Sequence, residues 1–261
     1  MFASDITERA LAGMPHFSLL TIPNICYNPD NELNGGAKVS RRITPDEIRS
    51  NEKIKTYIKS ADGVLVALGY TEHSFAHVVK CAETASSLLR SLGRDERLCE
   101  LAWIAGYMHD IGNLVNREQH AQSGAIIAMQ LLSSLDMEPA DVAEIVAAIG
   151  SHDEYEVATP ISDVSAALIL ADKTDVRRSR VRSSDTISLD IHDRVNYAAV
   201  SSNVALDVAE KTFALELEID TTICPVMEYF EIFLQRMLLS RKAADRLGLV
   251  FKLVINGQTM L

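Results

Sequence analysis

A mainly α-helical protein with a small C-terminal α+β unit is the fold class that this sequence predicts, and three observations lead there. Apolar residues recur at helical spacing in one segment after another between about residues 44 and 175. Clusters of turn formers, several with Gly or Pro, separate those segments. After about Asn196 the pattern changes to alternating, β-branched stretches around one long amphipathic helix.

The chain of 261 residues, 48% hydrophobic and 23% charged, has the proportions of a globular protein with a sizeable core. Its formal net charge of -11 argues against holding nucleic acid or an anionic membrane by bulk electrostatics, so an anionic substrate has to be met locally. The four cysteines, Cys26, Cys81, Cys99 and Cys224, form no CxxC pair and suggest neither a disulfide framework nor a zinc ribbon. No basic, apolar leader and no run of ~18 apolar residues is present, so the expectation is a cytoplasmic protein without a membrane anchor.

In chain order, residues 1 to 43 are mixed, and Asn28 to Gly36 are dense in turn formers, which reads as an irregular arm. Thr44-Pro45-Asp46-Glu47 is a capping box with proline at the first helical position, opening a helix that runs through Ile48, Ile54 and Ile58 to about Leu68. Further helices follow near Thr71 to Leu92, Asp95 to Met108, His120 to Leu135, Pro139 to Gly150 and Ser162 to Asp175. Val200 to Val208, Thr212 to Ile219 and Phe251 to Ile255 read as strands, with a helix from about Pro225 to Leu247 ended by Gly248. The expected organisation is an arm and first helix over 1–60, a helical domain over 61–195, and an α+β unit of about three antiparallel strands and one helix over 196–261.

The chemistry-bearing residues gather in the helical part. His109 and Asp110 are adjacent at the end of an apolar helix, where both can reach one centre only if it lies beside the helix end. A bare His–Asp pair is common, and a lone histidine near an apolar face is more often structural than a ligand. This pair has company: His77 on an earlier helix, His120 opening a later one, His152 after the apolar turn Ile145 to Ile149, and Asp172 closing the run Ala166 to Ala171. An aspartate after such a run is costly to bury unless it is paired, protonated or bound to a cation.

The order His77, His109-Asp110, His120, His152, Asp172 resembles the HD-domain superfamily of metal-dependent phosphohydrolases. The contexts match too: His77-Val78-Val79-Lys80-Cys81-Ala82, His109-Asp110-Ile111-Gly112, His120-Ala121-Gln122-Ser123-Gly124-Ala125 and Ala167-Leu168-Ile169-Leu170-Ala171-Asp172-Lys173. The likeness spans roughly residues 70 to 180. It implies a helical HD bundle in which His77, His109, Asp110 and Asp172 hold one metal and His120 and His152 complete a second site bridged by Asp110. It also implies hydrolysis of a phosphate ester, of a nucleotide or another small phosphorylated metabolite, by a metal-bridging hydroxide, with Asp110 and His109 at the catalytic centre. Imidazole and carboxylate together suit Mn, Fe, Co, Ni or Zn, not an all-oxygen calcium site, and the expected cofactor is two divalent ions among these and Mg. His73, one turn before His77, is read as supporting the site without ligating.

Five cations fall within ten residues after Asp172, namely Lys173, Arg177, Arg178, Arg180 and Arg182. Such a run is usually a solvated face, but a helix continuing from Asp172 would carry Lys173, Arg177 and Arg178 past the metals to meet a phosphoryl group. Many members of the family read His-Asp-Ile-Gly-Lys, whereas Asn113 stands at the lysine position here, leaving Arg117 or the later cluster to take its place. No Gly-Tyr-Pro motif follows His152, which disfavours a cyclic-dinucleotide phosphodiesterase. Asp153 or Glu154 could hydrogen-bond to the ligands. Two other readings stay open, a mixed-valent di-iron oxygenase on the same ligand set and a nucleotide-binding sensor. The expected partner is a small phosphorylated substrate, and a homodimer is admitted.

Overall fold

The structure, a computed structural model, describes residues 40–154, 159–182 and 191–260; most of the expected N-terminal arm lies outside them. The described residues all fall within one compact unit. In order, its helices are α1 (Pro45–Ser50), α2 (Glu52–Ala67), α3 (Phe75–Ser91), α4 (Glu96–Met108), α5 (His120–Ser134), α6 (Pro139–Gly150), α7 (Asp163–Lys173) and α8 (Ile191–Ala198). Strands β1 (Ala199–Asp207) and β2 (Thr212–Ile219), helix α9 (Val226–Arg246), and strands β3 (Val250–Ile255) and β4 (Gln258–Thr259) follow. A 3-10 turn, His109–Leu114, continues α4 directly. The chain is thus mainly helical with a small C-terminal sheet, as its patterning predicts.

The helix from Thr44 differs from expectation in one respect. The capping box forms, with Glu47 N–H donating to Thr44 Oγ1 and Thr44 N–H donating to Glu47, but the helix breaks at Asn51, whose ψ of 112° is extended. The Asn51 side chain then accepts from Lys53 and Ile54 N–H and starts α2, because a short amide oxygen satisfies N-terminal donors that the helix leaves unpaired.

Two helices occupy the middle of the molecule. Leu101 to Met108 in α4 and Val164 to Ala171 in α7 are buried around their whole circumference, which a helix tolerates only when other elements cover every side. Their polar ends are therefore inside as well, and those ends carry His109, Asp110 and Asp172. Gly106 makes the crossing with α3 close: a Cβ there would stand 2.7 Å from the Cα of Ala82. That approach brings His77 of α3 over the end of α4.

The sheet corrects the expected three antiparallel strands. Four strands lie in the order β1-β2-β3-β4, with β1–β2 and β3–β4 antiparallel but β2–β3 parallel, pairing Phe213 with Phe251 and Leu215 with Leu253. The reason is topological: α9 joins β2 to β3, and a crossover helix returns the chain to the same end of the sheet. Phe213, Leu215, Leu253 and the α9 residues Tyr229, Phe233 and Met237 belong to the same continuous core as α4 and α7. No described helix is long and apolar enough to cross a membrane.

Candidate metal centre

Six side chains from five places in the chain converge at the buried ends of α4 and α7. His77 comes from α3, His109 and Asp110 from the 3-10 turn, His120 from the first position of α5, His152 from just beyond α6, and Asp172 from the last turn of α7. The four histidines are 0 to 2% exposed and Asp110 is 5% exposed, so these are interior polar groups that need partners.

The partners fix each ring. The Nδ1–H of His109 donates to the Gly106 carbonyl at 2.8 Å, that of His120 to Arg117 at 3.1 Å, and that of His152 to Ile149 at 2.6 Å. A carbonyl oxygen can only accept, so each Nδ1 carries a proton and each Nε2 is the nitrogen turned away from the backbone. In all three cases the acceptor lies three residues earlier in the same chain segment. His77 is the exception, donating Nδ1–H to Asp175 Oδ2 at 2.8 Å, 98 residues away.

The Nε2 atoms then face the centre. His77 Nε2 is 3.3 Å from His109 Nε2, 3.5 Å from Asp110 Oδ2 and 3.4 Å from Asp172 Oδ1, while His109 Nε2 is 3.3 Å and 3.7 Å from the same two oxygens. Two lone pairs at 3.3 Å repel unless a proton or cation lies between them. Bonds of ~2.0–2.1 Å in a tetrahedron place donors ~3.4 Å apart, so the spacing fits a transition-metal ion. Asp110 Oδ2 is buried without a hydrogen-bond partner, and such an orphaned carboxylate oxygen is what a cation would satisfy. The other oxygen, Oδ1, lies 3.5 Å from His120 Nε2, so one carboxylate spans two groups of donors. His152 joins the second group: its ring centroid is 5.1 Å from those of both His109 and His120.

Electrostatics agree with a centre built for positive charge. Burial resists a charge on His109, but Asp110 and Asp172 outweigh it and push its pKa up to about 10. Burial, aided by Arg117, lowers His120 to about 4, and burial with His109 lowers His152 to about 3, so these two rings stay neutral donors. Asp110 and Asp172 are held well below the usual carboxylate range against the cost of burial, Asp110 chiefly by His109 and Asp172 chiefly by Lys173.

The surroundings divide the candidate substrate residues. Asn113 donates from Nδ2 to the Asp110 backbone oxygen and to Oδ1, both at 2.9 Å, so the residue at the lysine position holds the spanning carboxylate. Lys173 is buried between Asp172 Oδ2, 2.8 Å away, and Glu154. The helix does not run on after it: α7 stops at Lys173, and Arg177 turns back to Asp175 at 3.0 Å and to Glu72 at 3.3 Å. Arg178 stacks on Tyr197 and donates to its carbonyl. Neither Arg177 nor Arg178 lines the cleft that adjoins the centre at Arg117 and Asp153. That cleft, about 590 Å³, is walled by Tyr70, His73, Arg117, Asp153, Arg180, Asn196, Phe233 and Arg236, among others. His73 sits edge-on to His77 at 5.5 Å without joining the converging donors.

Several contributors escape sequence reasoning. Asp175 orients His77, Arg236 arrives from α9, and Cys81 packs its sulfur 3.7 Å from both nitrogens of His77. The sequence offers a signal only for Asp175 and Cys81: Asp175 stands three residues after Asp172, and Cys81 one helical turn after His77.

Comparison with known proteins agrees with this architecture. The family model of the HD domain matches residues 74–177. An uncharacterized protein of Methanocaldococcus jannaschii is 27% identical over 173 residues, covering 58% of this chain and 66% of the relative's length. No solved structure matches the chain significantly.

Proposed function

Because residues 74–177 are an HD domain, a domain found generally in metal-dependent hydrolases, we propose that this protein is a metal-dependent phosphohydrolase acting on a nucleotide or another small phosphorylated metabolite. The observation that carries the reading is the inward convergence of four histidine rings, each anchored through Nδ1, on two carboxylates beside a cleft that Arg117, Arg180 and Arg236 help to line.

His77, His109, Asp110 and Asp172 would hold one divalent ion, and His120 and His152 with the second oxygen of Asp110 another. When bound, such ions supply Lewis acidity and lower the pKa of an attacking water toward ~7. The chain's own residues do the rest. Asn113 keeps the Asp110 carboxylate from rotating, and Asp175 keeps the His77 lone pair on the centre. Arg117 is the cation best placed for a phosphoryl oxygen: it lines the cleft and its guanidinium is 3.8 Å from Asp110 Oδ1. The walls of the cleft, with Tyr70 and Phe233, exclude water from one side of a bound ester.

The test is a screen of phosphate monoesters, nucleotides and phosphodiesters against protein reconstituted with Mn, Co, Ni, Zn, Fe or Mg. Chelator-sensitive release of phosphate or of a phosphomonoester is the expected result. On the best substrate, Arg117→Gln should lower kcat/KM about tenfold or more at unchanged metal content, since a charged hydrogen bond contributes roughly 1.5–3 kcal/mol. Hydrolysis indifferent to chelation, or none with any ion, would remove the proposal.

A further inference from the structure

Between the centre and the wall of the cleft, four charges alternate in sign, the inner two, Lys173 and Glu154, buried and the outer two, Asp172 and Arg236, 13% and 18% exposed. Asp172 directs Oδ1 at His77 and His109, and its Oδ2 receives Lys173 Nζ at 2.8 Å. Lys173 also pairs with Glu154 Oε2, and Glu154 Oε1 receives Arg236 Nε at 2.6 Å. The side chains of Lys173 and Glu154 are 5% and 2% exposed, so neither charge is served by bulk water. Arg236 belongs to α9, which supplies none of the converging donors, and it lines the cleft.

In this arrangement one ammonium is shared by two carboxylates. The more strongly Glu154 draws Lys173, the less of that positive charge falls on Asp172, and the more negative charge Asp172 presents to a cation. Arg236 competes for Glu154 from the other side. At these separations, without water between the groups, each interaction is far stronger than at the surface.

We propose that Glu154 and Arg236 are positioning residues that set the affinity of the centre for its cations, acting through Lys173 on Asp172. The inference rests on the metal reading of the site, and not on the identity of the ester. An alternating chain has alternating consequences. Neutralising Glu154 leaves Lys173 to Asp172 and weakens cation binding; neutralising Arg236 releases Glu154 to pull on Lys173 and tightens it. An anion in the cleft that drew Arg236 from Glu154 would act like the second change, so that cation and anion would assist each other's binding reciprocally.

The experiment is a calorimetric titration of Mn2+ into chelator-stripped full-length protein, with thermal unfolding to verify the fold of each variant. Glu154→Gln is expected to raise the Kd for Mn2+ about tenfold, and Arg236→Gln to lower it about threefold. Arg236→Lys should stay near the parent. The double variant should match Glu154→Gln alone, because Arg236 is proposed to act only through Glu154. Loosening of the structure by itself would weaken binding in both single variants. That result, or no shift beyond twofold in either, or an Arg236→Gln effect that persists without Glu154, overturns the proposal. Should Glu154→Gln fail to fold, the sign of Arg236→Gln against Arg236→Lys decides. If the parent takes up no Mn2+, the metal reading falls together with the inference; if the parent binds it and the signs do not alternate, only the inference falls.

Discussion

Asp110 is the residue on which the two groups of donors depend, since its two oxygens face different histidines. On the proposed two-ion reading, Asp110→Ala should remove both ions and the proposed activity, whereas His120→Ala or His152→Ala should lose one ion in preference. Elemental analysis of the three variants checks this, and equal losses with the fold intact would refute the division of ligands. Gly112 poses a different kind of constraint. A Cβ at this position would fall 1.9 Å from the His120 carbonyl oxygen and 2.4 Å from the Gly124 nitrogen, both backbone atoms that cannot swing aside. Gly112→Ala should force the 3-10 turn away from α5, lower stability by about 2 kcal/mol or more, and weaken metal retention; denaturant unfolding and metal analysis measure both. Adjacency made the His109–Asp110 pair legible in the sequence, and its recurrence with three more histidines and Asp172 in order made the set legible. Glu154 and Arg236 were not legible as a pair, because 82 residues separate them and only the packing of α9 brings them together.

At the scale of elements, apolar periodicity located α3 to α7 to within a few residues at each end, because each buries a stripe or its whole surface. It did not reveal the break at Asn51, where a cap interrupts a pattern that stays in register on both sides. Asn51→Ala should cost about 1 kcal/mol, read as a fall in the unfolding midpoint without loss of metal. Nor did it reveal the end of α7, after which the basic run folds back instead of continuing along a helix. In that folded-back segment Asp175 takes His77, Lys80 and Arg177 on its two oxygens. Burial opposes its charge, yet His77, Arg180 and Lys80 hold its pKa well below the usual carboxylate value. A carboxyl depressed in the folded state stabilises the fold above its unfolded pKa of ~3.9, and that contribution is lost as pH falls below this value. The thermal midpoint of metal-free protein should accordingly drop below about pH 4, and Asp175→Asn should flatten that drop while lowering the midpoint near neutrality.

For the molecule as a whole, the C-terminal α+β unit is part of the same core as the helices around the centre. Alternation and β-branching announced its strands, and the strand–helix–strand order β2-α9-β3 carried the information that one pairing is parallel. What the sequence concealed was that α9 packs on α7, since its apolar face says that it is covered and not by what. Phe233, 1% exposed, joins the core and also lies under the Arg236 guanidinium, 4.6 Å from its ring centre, at the cleft wall. Phe233→Ala should cost about 3–5 kcal/mol of stability, and should loosen Mn2+ binding as well as the fold. Unchanged Mn2+ affinity in the folded fraction would show that α9 serves the core alone.

Three of the four imidazoles are anchored to carbonyls three residues behind them, so their aim is set by the local backbone and not by an arriving ligand. Such donors have little turning left to do when an ion enters, and beyond the proton that His109 must shed the protein adds little to the barrier for capture. Uptake should be paced by how quickly each ion sheds its own hydration water. In stopped-flow mixing the second-order uptake rates should fall in the order of those exchange rates, Mn2+ ahead of Co2+ and Ni2+ slowest. A common rate for all three ions, independent of their concentration, would point instead to a slow opening of the chain before entry.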